Sequence, residues 1–413
     1  MFSRIGSAAI KKDLTNTLLI CQHLDNPQTK FKSIHVAGTN GKGSVSHMLA
    51  AIFQTAGYKT GLYTSPHLYD FRERIKLNGA MVPEDFVITF VEKVKPLIES
   101  IEPSFFEITV AMAFEFFAEE KIDIAIIETG LGGRLDSTNI ITPELAVITN
   151  IGYDHMNILG NSLKEIAAEK AGIIKQNIPV VIGEYLKETK PVFDEKAKEK
   201  NAPVYYAQHY LTDILHSLTR DHLQIIYERM DRLAVKVKTD LQGIYQVDNV
   251  RTVLTALQML NKNNWEISPN DISNGLKNVK ALTGLHGRWE VIQTTPTVVL
   301  EVAHNENGIK QMLKHIDQLS YHNLHIILGM VKDKEINNIL GLLPKNVGYY
   351  FTEAHIPRAL DGQQLQTEAK RFGLEGKFFD DVNTALKDAL SKASPDDLII
   401  ICGSIFLVAE VKR

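Results

Sequence analysis

A short apolar run over residues 33–37 breaks at Gly38 into Gly-Thr-Asn-Gly-Lys-Gly-Ser (38–44), and a helical pattern follows over 45–54. No other stretch constrains the fold as tightly. A strand, a loop with three glycines and a helix, in that order, turn backbone N–H groups and a helix N-terminus towards one point, which suits a polyphosphate. Lys42 adds positive charge there, and the Ser44 hydroxyl is placed to face Mg2+. The spacing departs from the usual phosphate loop. Only Thr39 and Asn40 separate the first glycine from Gly41-Lys42, and Gly43 stands between Lys42 and Ser44.

The rest of the chain extends this unit into a sheet. Strands are expected over 59–63, 122–127 and 145–149, each ending in a polar loop: Thr64-Ser-Pro-His-Leu68, the stretch Glu128 to Asp136, and Asp154-His155. In doubly wound sheets ligands bind at the carboxyl ends of the strands, so these loops converge on one site. Helical spacing appears over 13–24, from Pro83, and over 104–120, 163–174 and 246–260, with paired strands at 223–228 and 233–239. Residues 280–288 carry two glycines and read as a linker. Strands at 298–302, 324–328, 348–351 and 398–402 then alternate with helices again. The expected fold is α/β with two domains: a P-loop-type doubly wound N-terminal domain over 1–285 and a smaller Rossmann-like α/β C-terminal domain over 286–413. A chain of 413 residues is long for a single core, which agrees.

Composition narrows the partners. With 45 basic and 49 acidic residues the net charge is −4, which gives no electrostatic reason to bind nucleic acid. No apolar run approaches the roughly 20 residues that span a membrane, and the first residues lack a secretory apolar core. Cys21 and Cys402 stand alone, so neither a disulfide framework nor a zinc site is expected, and a reducing cytoplasm is the natural setting. Small-molecule substrates and a monomer are the expectation.

With the loops in hand, the chain resembles the folylpolyglutamate synthase/dihydrofolate synthase family of the Mur ligase superfamily. The matching pieces run in order through the chain: His35-Val-Ala-Gly-Thr-Asn-Gly-Lys-Gly-Ser44, Thr64 to Leu68, Glu128-Thr-Gly-Leu-Gly-Gly-Arg-Leu-Asp-Ser-Thr-Asn139, Asp154-His155, Glu169-Lys-Ala-Gly-Ile-Ile174, Ala303-His-Asn305 and Cys402-Gly-Ser404. The unusual glycine spacing is that family's own form of the phosphate loop. The resemblance implies ATP-dependent addition of L-glutamate to folate or dihydropteroate through an acyl phosphate.

It also implies roles residue by residue. Thr39, Asn40, Gly41, Lys42, Gly43 and Ser44 would hold the ATP phosphates, with Asn249, Arg288 and Glu301 as further ATP contacts. Ser65, Glu128 and His155 would be the protein ligands of Mg2+, two ions being expected. Lys170 would be the lysine that the family carbamylates, and Lys42, Lys170 and His304 the catalytic set. His304 and Ser404 match positions linked to the incoming glutamate. Phe106, Arg134, Leu135 and Asp136 are the candidates for the folate or pteroate, an aromatic ring for stacking and a carboxylate for the amino-pyrimidine edge. Two departures stand out: Glu301 replaces the family's usual aspartate, and His286-Gly-Arg288 replaces the commoner Pro-Gly-Arg.

Two other functions fit parts of the pattern. A cell-wall amino-acid ligase acting on a UDP-muramoyl peptide would need a nucleotide-sugar domain ahead of the phosphate loop, for which no segment is evident. A phosphate-loop binding module without ligase chemistry would leave the second α/β domain, Arg288 and the 301–305 loop without a purpose.

Overall fold

The computed structural model of the protein describes residues 13–219, 221–262, 265–332 and 336–412. The first sheet is built from β1 (Lys32–Ala37), β2 (Thr60–Tyr63), β3 (Ile75–Leu77), β4 (Ala80–Met81), β5 (Ile124–Glu128), β6 (Leu145–Ile148), β7 (Val180–Ile182) and β8 (Val204–Tyr206). Their spatial order is β4-β3-β2-β5-β1-β6-β7-β8. All pairs from β2 to β8 across the sheet are parallel, and β3 and β4 add an antiparallel edge.

The continuous apolar strands follow from helices on both faces. Ile124 and Ile126 of β5 pack with the helix Lys42–Thr55. Ala125 and Ile127 point the other way, into the core with the helix Phe105–Glu119. That second helix starts at a reciprocal cap, with Ser104 accepting from Glu107 N–H while the Glu107 carboxylate accepts from Ser104 N–H. The helix expected to open at Pro83 spans Glu84–Ile101, with Pro83 as its N-cap and Pro96 inside it.

A three-stranded antiparallel sheet, β9 (Leu211–Leu218), β10 (Leu223–Arg229) and β11 (Ala234–Thr239), follows in the order β11-β10-β9. The sequence pattern shows the second and third strands and not the first. A register shift opposite Ile226 and Tyr227 leaves Ile214 and Leu215 both exposed, which hides the alternation of β9.

The C-terminal sheet comprises β12 (Glu290–Thr294), β13 (Thr297–Leu300), β14 (Leu324–Leu328), β15 (Gly348–Phe351), β16 (Gly376–Phe378) and β17 (Leu398–Cys402), in the order β12-β13-β17-β14-β15-β16. Only β12 runs antiparallel to its neighbour. The expected linker at 280–288 begins inside a short helix, Val279–Thr283, which Gly284 ends in the left-handed conformation. The extended connection is therefore shorter than the glycines imply. Cys21 and Cys402 are buried and free. Among the described residues no helix is long and apolar enough to cross a membrane. The first twelve residues, which carry the expectation of no secretory core, lie outside the described residues.

Candidate active site

β1 lies between β5 and β6, so its loop leaves the sheet at the switch point, where connections diverge to either side. The loop is shaped by close approaches that only glycine allows. At Gly38 (φ +151°) a Cβ would stand 1.8 Å from Thr149 Oγ1, and at Gly41 (φ +81°) it would stand 2.2 Å from Asn249 Oδ1. Gly41 is also the N-cap of Lys42–Thr55 and offers no side-chain cap, which leaves the first helical N–H groups for a ligand.

Neighbouring loops hold the rest. Thr39 N–H donates to the Asn150 carbonyl, and Asn40 N–H to Asn150 Oδ1. Thr149 Oγ1 donates to the Asn40 carbonyl, and Thr39 Oγ1 both donates to Gly152 O and accepts from Gly152 N–H. Lys42 Nζ folds back onto the carbonyls of Gly38 (3.1 Å) and Thr39 (3.2 Å). Lys170 Nζ, itself buried, donates to Gly38 O at 2.8 Å. Burial, reinforced by the charge of Lys42, lowers the Lys170 ammonium to about 7.

Glu128 ends β5 level with Val36 of β1. It is buried, burial raises its carboxyl above the ordinary range, and it accepts from Ser65 N–H at 3.1 Å. A Cβ on Gly43 would lie 3.6 Å from Arg288 Nη2 and 3.8 Å from Glu128 Oε1. The phosphate loop, the acidic end of β5 and the inter-domain arginine thus meet at one point. A cavity of about 40 Å³ lined by Gly43, Ser65, Glu128 and Arg288 opens beside it, room for roughly one water. A larger groove of about 760 Å³ lies at the amino ends of β14 and β15 and contains none of the expected site residues.

Asn249 sits inside the helix Gln246–Asn261, not at its cap. Its Nδ2 donates to Gln246 Oε1, and Gln246 Nε2 donates to Ser44 Oγ. Gln246 was not visible in the sequence. A glutamine three residues before Asn249 shares its helix face, which is the signal that would have found it.

From the C-terminal domain, Asn305 exchanges side-chain hydrogen bonds with Asn40 at 3.0 and 3.2 Å and donates to Asp154 Oδ2. His304 holds Val302 O at Nδ1 and Asp154 Oδ2 at Nε2. His155 has φ +50° and its backbone N–H donates to Asp154 Oδ1. Glu301 is buried, accepting from Tyr245 Oη at 2.6 Å and Trp289 N–H at 3.0 Å. Ser404 caps the short helix Ile405–Ala409 through Phe406 N–H.

The candidates for the pterin end gather along the 130–136 loop. Phe106 lies over Gly130, where a Cβ would meet its Cζ at 2.4 Å, and Tyr63 lies 6.2 Å from it between ring centroids. Arg134 is exposed and pairs with Glu169. Leu135 is half-buried. Asp136 differs from the expectation of a carboxylate free for a ligand. It is buried, and it accepts from Leu131 N–H, Thr138 N–H and Thr138 Oγ1, so its lone pairs are spent on holding the loop.

The chain is similar to known proteins over nearly its whole length. Residues 36–257 match the Mur ligase middle domain and residues 287–405 the Mur ligase glutamate ligase domain. The chain is 34% identical to the dihydrofolate synthase/folylpolyglutamate synthase of Bacillus subtilis (strain 168), covering 98% of this chain and 95% of that one. It is 31% identical to the folylpolyglutamate synthase of Lacticaseibacillus casei, covering 97% and 94%. Its structure superposes on E. coli FolC in complex with DHPP and ADP with a TM-score of 0.85 at 29% identity, covering 99% of this chain and 94% of that chain. Mycobacterium tuberculosis folylpolyglutamate synthase complexed with ADP and AMPPCP gives 0.86 at 28% identity, covering 96% and 94%. Matches that extend through both domains leave one assignment: the chain belongs to the folylpolyglutamate synthase/dihydrofolate synthase family of the Mur ligase superfamily.

Proposed function

We propose that the protein is an ATP-dependent ligase that adds L-glutamate to folates and also to dihydropteroate. The observation that carries this is the meeting of Gly43, Glu128 and Arg288, which puts a phosphate loop, a buried acid and a cation from the linker around one small cavity. A switch or hydrolase has no need of the C-terminal residues that reach this loop.

A substrate carboxylate oxygen attacks the γ-phosphorus of ATP. The Pγ–O bond to the β-phosphate breaks, and ADP leaves. The glutamate amine, having lost one proton to solvent, then attacks the acyl carbon; a C–N bond forms, the nitrogen's second proton passes to the departing phosphate, the C–O bond to phosphate breaks, and inorganic phosphate leaves. The protein's part is charge placement and exclusion of water. The N–H groups of 41–44 and Lys42 face the triphosphate, Lys42 exchanging the carbonyls of Gly38 and Thr39 for phosphate oxygens, while Asn150 keeps the N–H groups of Thr39 and Asn40. Arg288 offers a planar fork to the transferred group. His304 and Ser404, at the carboxyl ends of the C-terminal strands, receive the glutamate.

Glu128 fits a hard cation, being a buried carboxylate with one backbone donor, and Ser65 and His155 complete the proposed set for Mg2+. Among the described residues no cluster of three or more His, Cys, Asp or Glu side chains is gathered as a metal site, so water and phosphate would supply the remaining positions. When bound, the ions supply positive charge along the triphosphate. Lys170, lowered to about 7, has a substantial share of free amine near neutrality and so is suited to take up CO2 with loss of a proton. Phe106, Arg134 and Leu135 form the proposed platform for the pterin end, with Asp136 fixing the loop beneath them. The protein is expected to act as a cytoplasmic monomer.

The test is glutamate-dependent ADP release with a panel of pteroates and folates. Turnover of both classes is expected; no turnover of dihydropteroate removes the synthase half, and glutamate-independent ATP hydrolysis alone sinks the ligase.

A further inference from the structure

Two bridges tie the start of the helix Gln246–Asn261 to the linker. Tyr245 Oη donates to Glu301 Oε2 at 2.6 Å, and the same oxygen accepts from Trp289 N–H at 3.0 Å. Ile244 N–H donates to His315 Nδ1 at 3.2 Å, and the His315 ring stands edge-on to the Trp289 indole, 4.0 Å between centroids. Trp289 and Glu301 are buried, 3% exposed each, and His315 is fully enclosed. Trp289 has φ +48°, a conformation that costs a bulky L residue energy and persists only where its surroundings hold it.

These contacts converge on the residue after Arg288. A backbone N–H fixed to Glu301 and a side chain clamped on His315 hold the backbone next to Arg288, whose Nη2 lies 3.6 Å from where a Gly43 Cβ would stand. Glutamate reaches Tyr245 and Trp289 together, and the same carboxylate oxygen serves both.

We propose that Glu301 is a positioning residue that acts through Tyr245 and Trp289 to aim Arg288, and not a contact to the nucleotide. Its extra methylene relative to aspartate is what spans from the C-terminal sheet to the N-terminal domain. The effect on catalysis rests on the ligase function proposed above; the brace itself does not.

The test combines kinetics with trypsin cleavage after Arg288, read as fragments 1–288 and 289–413. Tyr245→Phe and Glu301→Asp are each expected to speed this cleavage about tenfold, because the bond must open locally to be cut. Both are expected to lower kcat with the KM for ATP within about twofold, and the double variant to lose little more than the worse single one. Glu301→Gln keeps the length and an acceptor oxygen and is expected to restore most of the protection. A KM for ATP raised tenfold or more in Glu301→Gln, with Tyr245→Phe behaving as wild type, would overturn the proposal in favour of direct nucleotide contact. Unchanged cleavage in both single variants overturns it as well. A wild-type protein that shows protected cleavage and no glutamate-dependent ADP release removes the ligase and leaves the brace standing.

Discussion

Lys170, carried on the helix Leu163–Ala171, donates to the carbonyl of Gly38, 132 residues before it in the chain, across 2.8 Å. A lysine 3% exposed therefore props the first residue of the phosphate loop. Its ammonium is lowered from 10.5 to about 7, chiefly by burial. Between those values the unfolded chain binds a proton that the folded protein does not, so this residue makes stability rise with pH across that window. Below it, the full cost of burying the charge remains. In bicarbonate-free buffer, wild type is expected to gain on Lys170→Met by a few kcal/mol from pH 7 to pH 10, read by urea unfolding. A parallel pair of stability curves would refute the buried-amine account.

Gly41→Ala sets a Cβ 2.2 Å from Asn249 Oδ1 in a left-handed residue. A loss of about 2 kcal/mol in stability and at least about tenfold in ATP-analogue affinity is expected. Gly57→Ala separates strain from collision, since φ is +88° and nothing lies within 4 Å of its Cβ. That variant should cost about 1 kcal/mol and leave ATP binding alone. Calorimetry of nucleotide binding and thermal melts decide between them.

Gln246 donates to the Ser44 hydroxyl and also receives the Asn249 amide. Gln246→Ala should weaken nucleotide binding about tenfold, with the KM for folate nearly unchanged. An equal rise in both constants would point to general loosening of the fold.

Gly130→Ala pushes on Phe106, whose Cζ lies 2.4 Å from the added carbon. If the ring is the pterin platform, the KM for pteroate should rise about tenfold while that for ATP stays put. Phe106→Leu should act in the same direction. Unaltered pteroate kinetics in both variants would return Phe106 to the hydrophobic core.

The sequence carried much of this molecule because the strongest signals were periodic or glycine-bound. The strands at 324–328, 348–351 and 398–402 are apolar on both faces and bounded by turns, and the structure has them at those limits. Gly38 and Gly41 mark where other groups press on the loop, though what presses, Thr149 or Asn249, is fixed only by tertiary contact. Asp136 shows the limit of residue chemistry, because a carboxylate suited to a pterin is equally suited to capping its own loop. Tyr245, Gln246, Asp154 and Asn305 carry no local signal of their partners, which lie across the sheet or in the other domain.

Asn40 has a further consequence, for the ageing of the protein. It precedes Gly41, and an asparagine followed by glycine is the arrangement in which a side-chain amide is most readily lost through ring closure on the next peptide nitrogen. Here the amide is held on both atoms by Asn305, whose own oxygen is fixed by capping Gly308 N–H. Separated domains would expose Asn40 to slow conversion to aspartate, planting a negative charge in the loop proposed to hold the ATP phosphates. Storage with nucleotide and closed domains should then preserve the enzyme longer than storage without it, and peptide mapping of Asn40 would follow the loss.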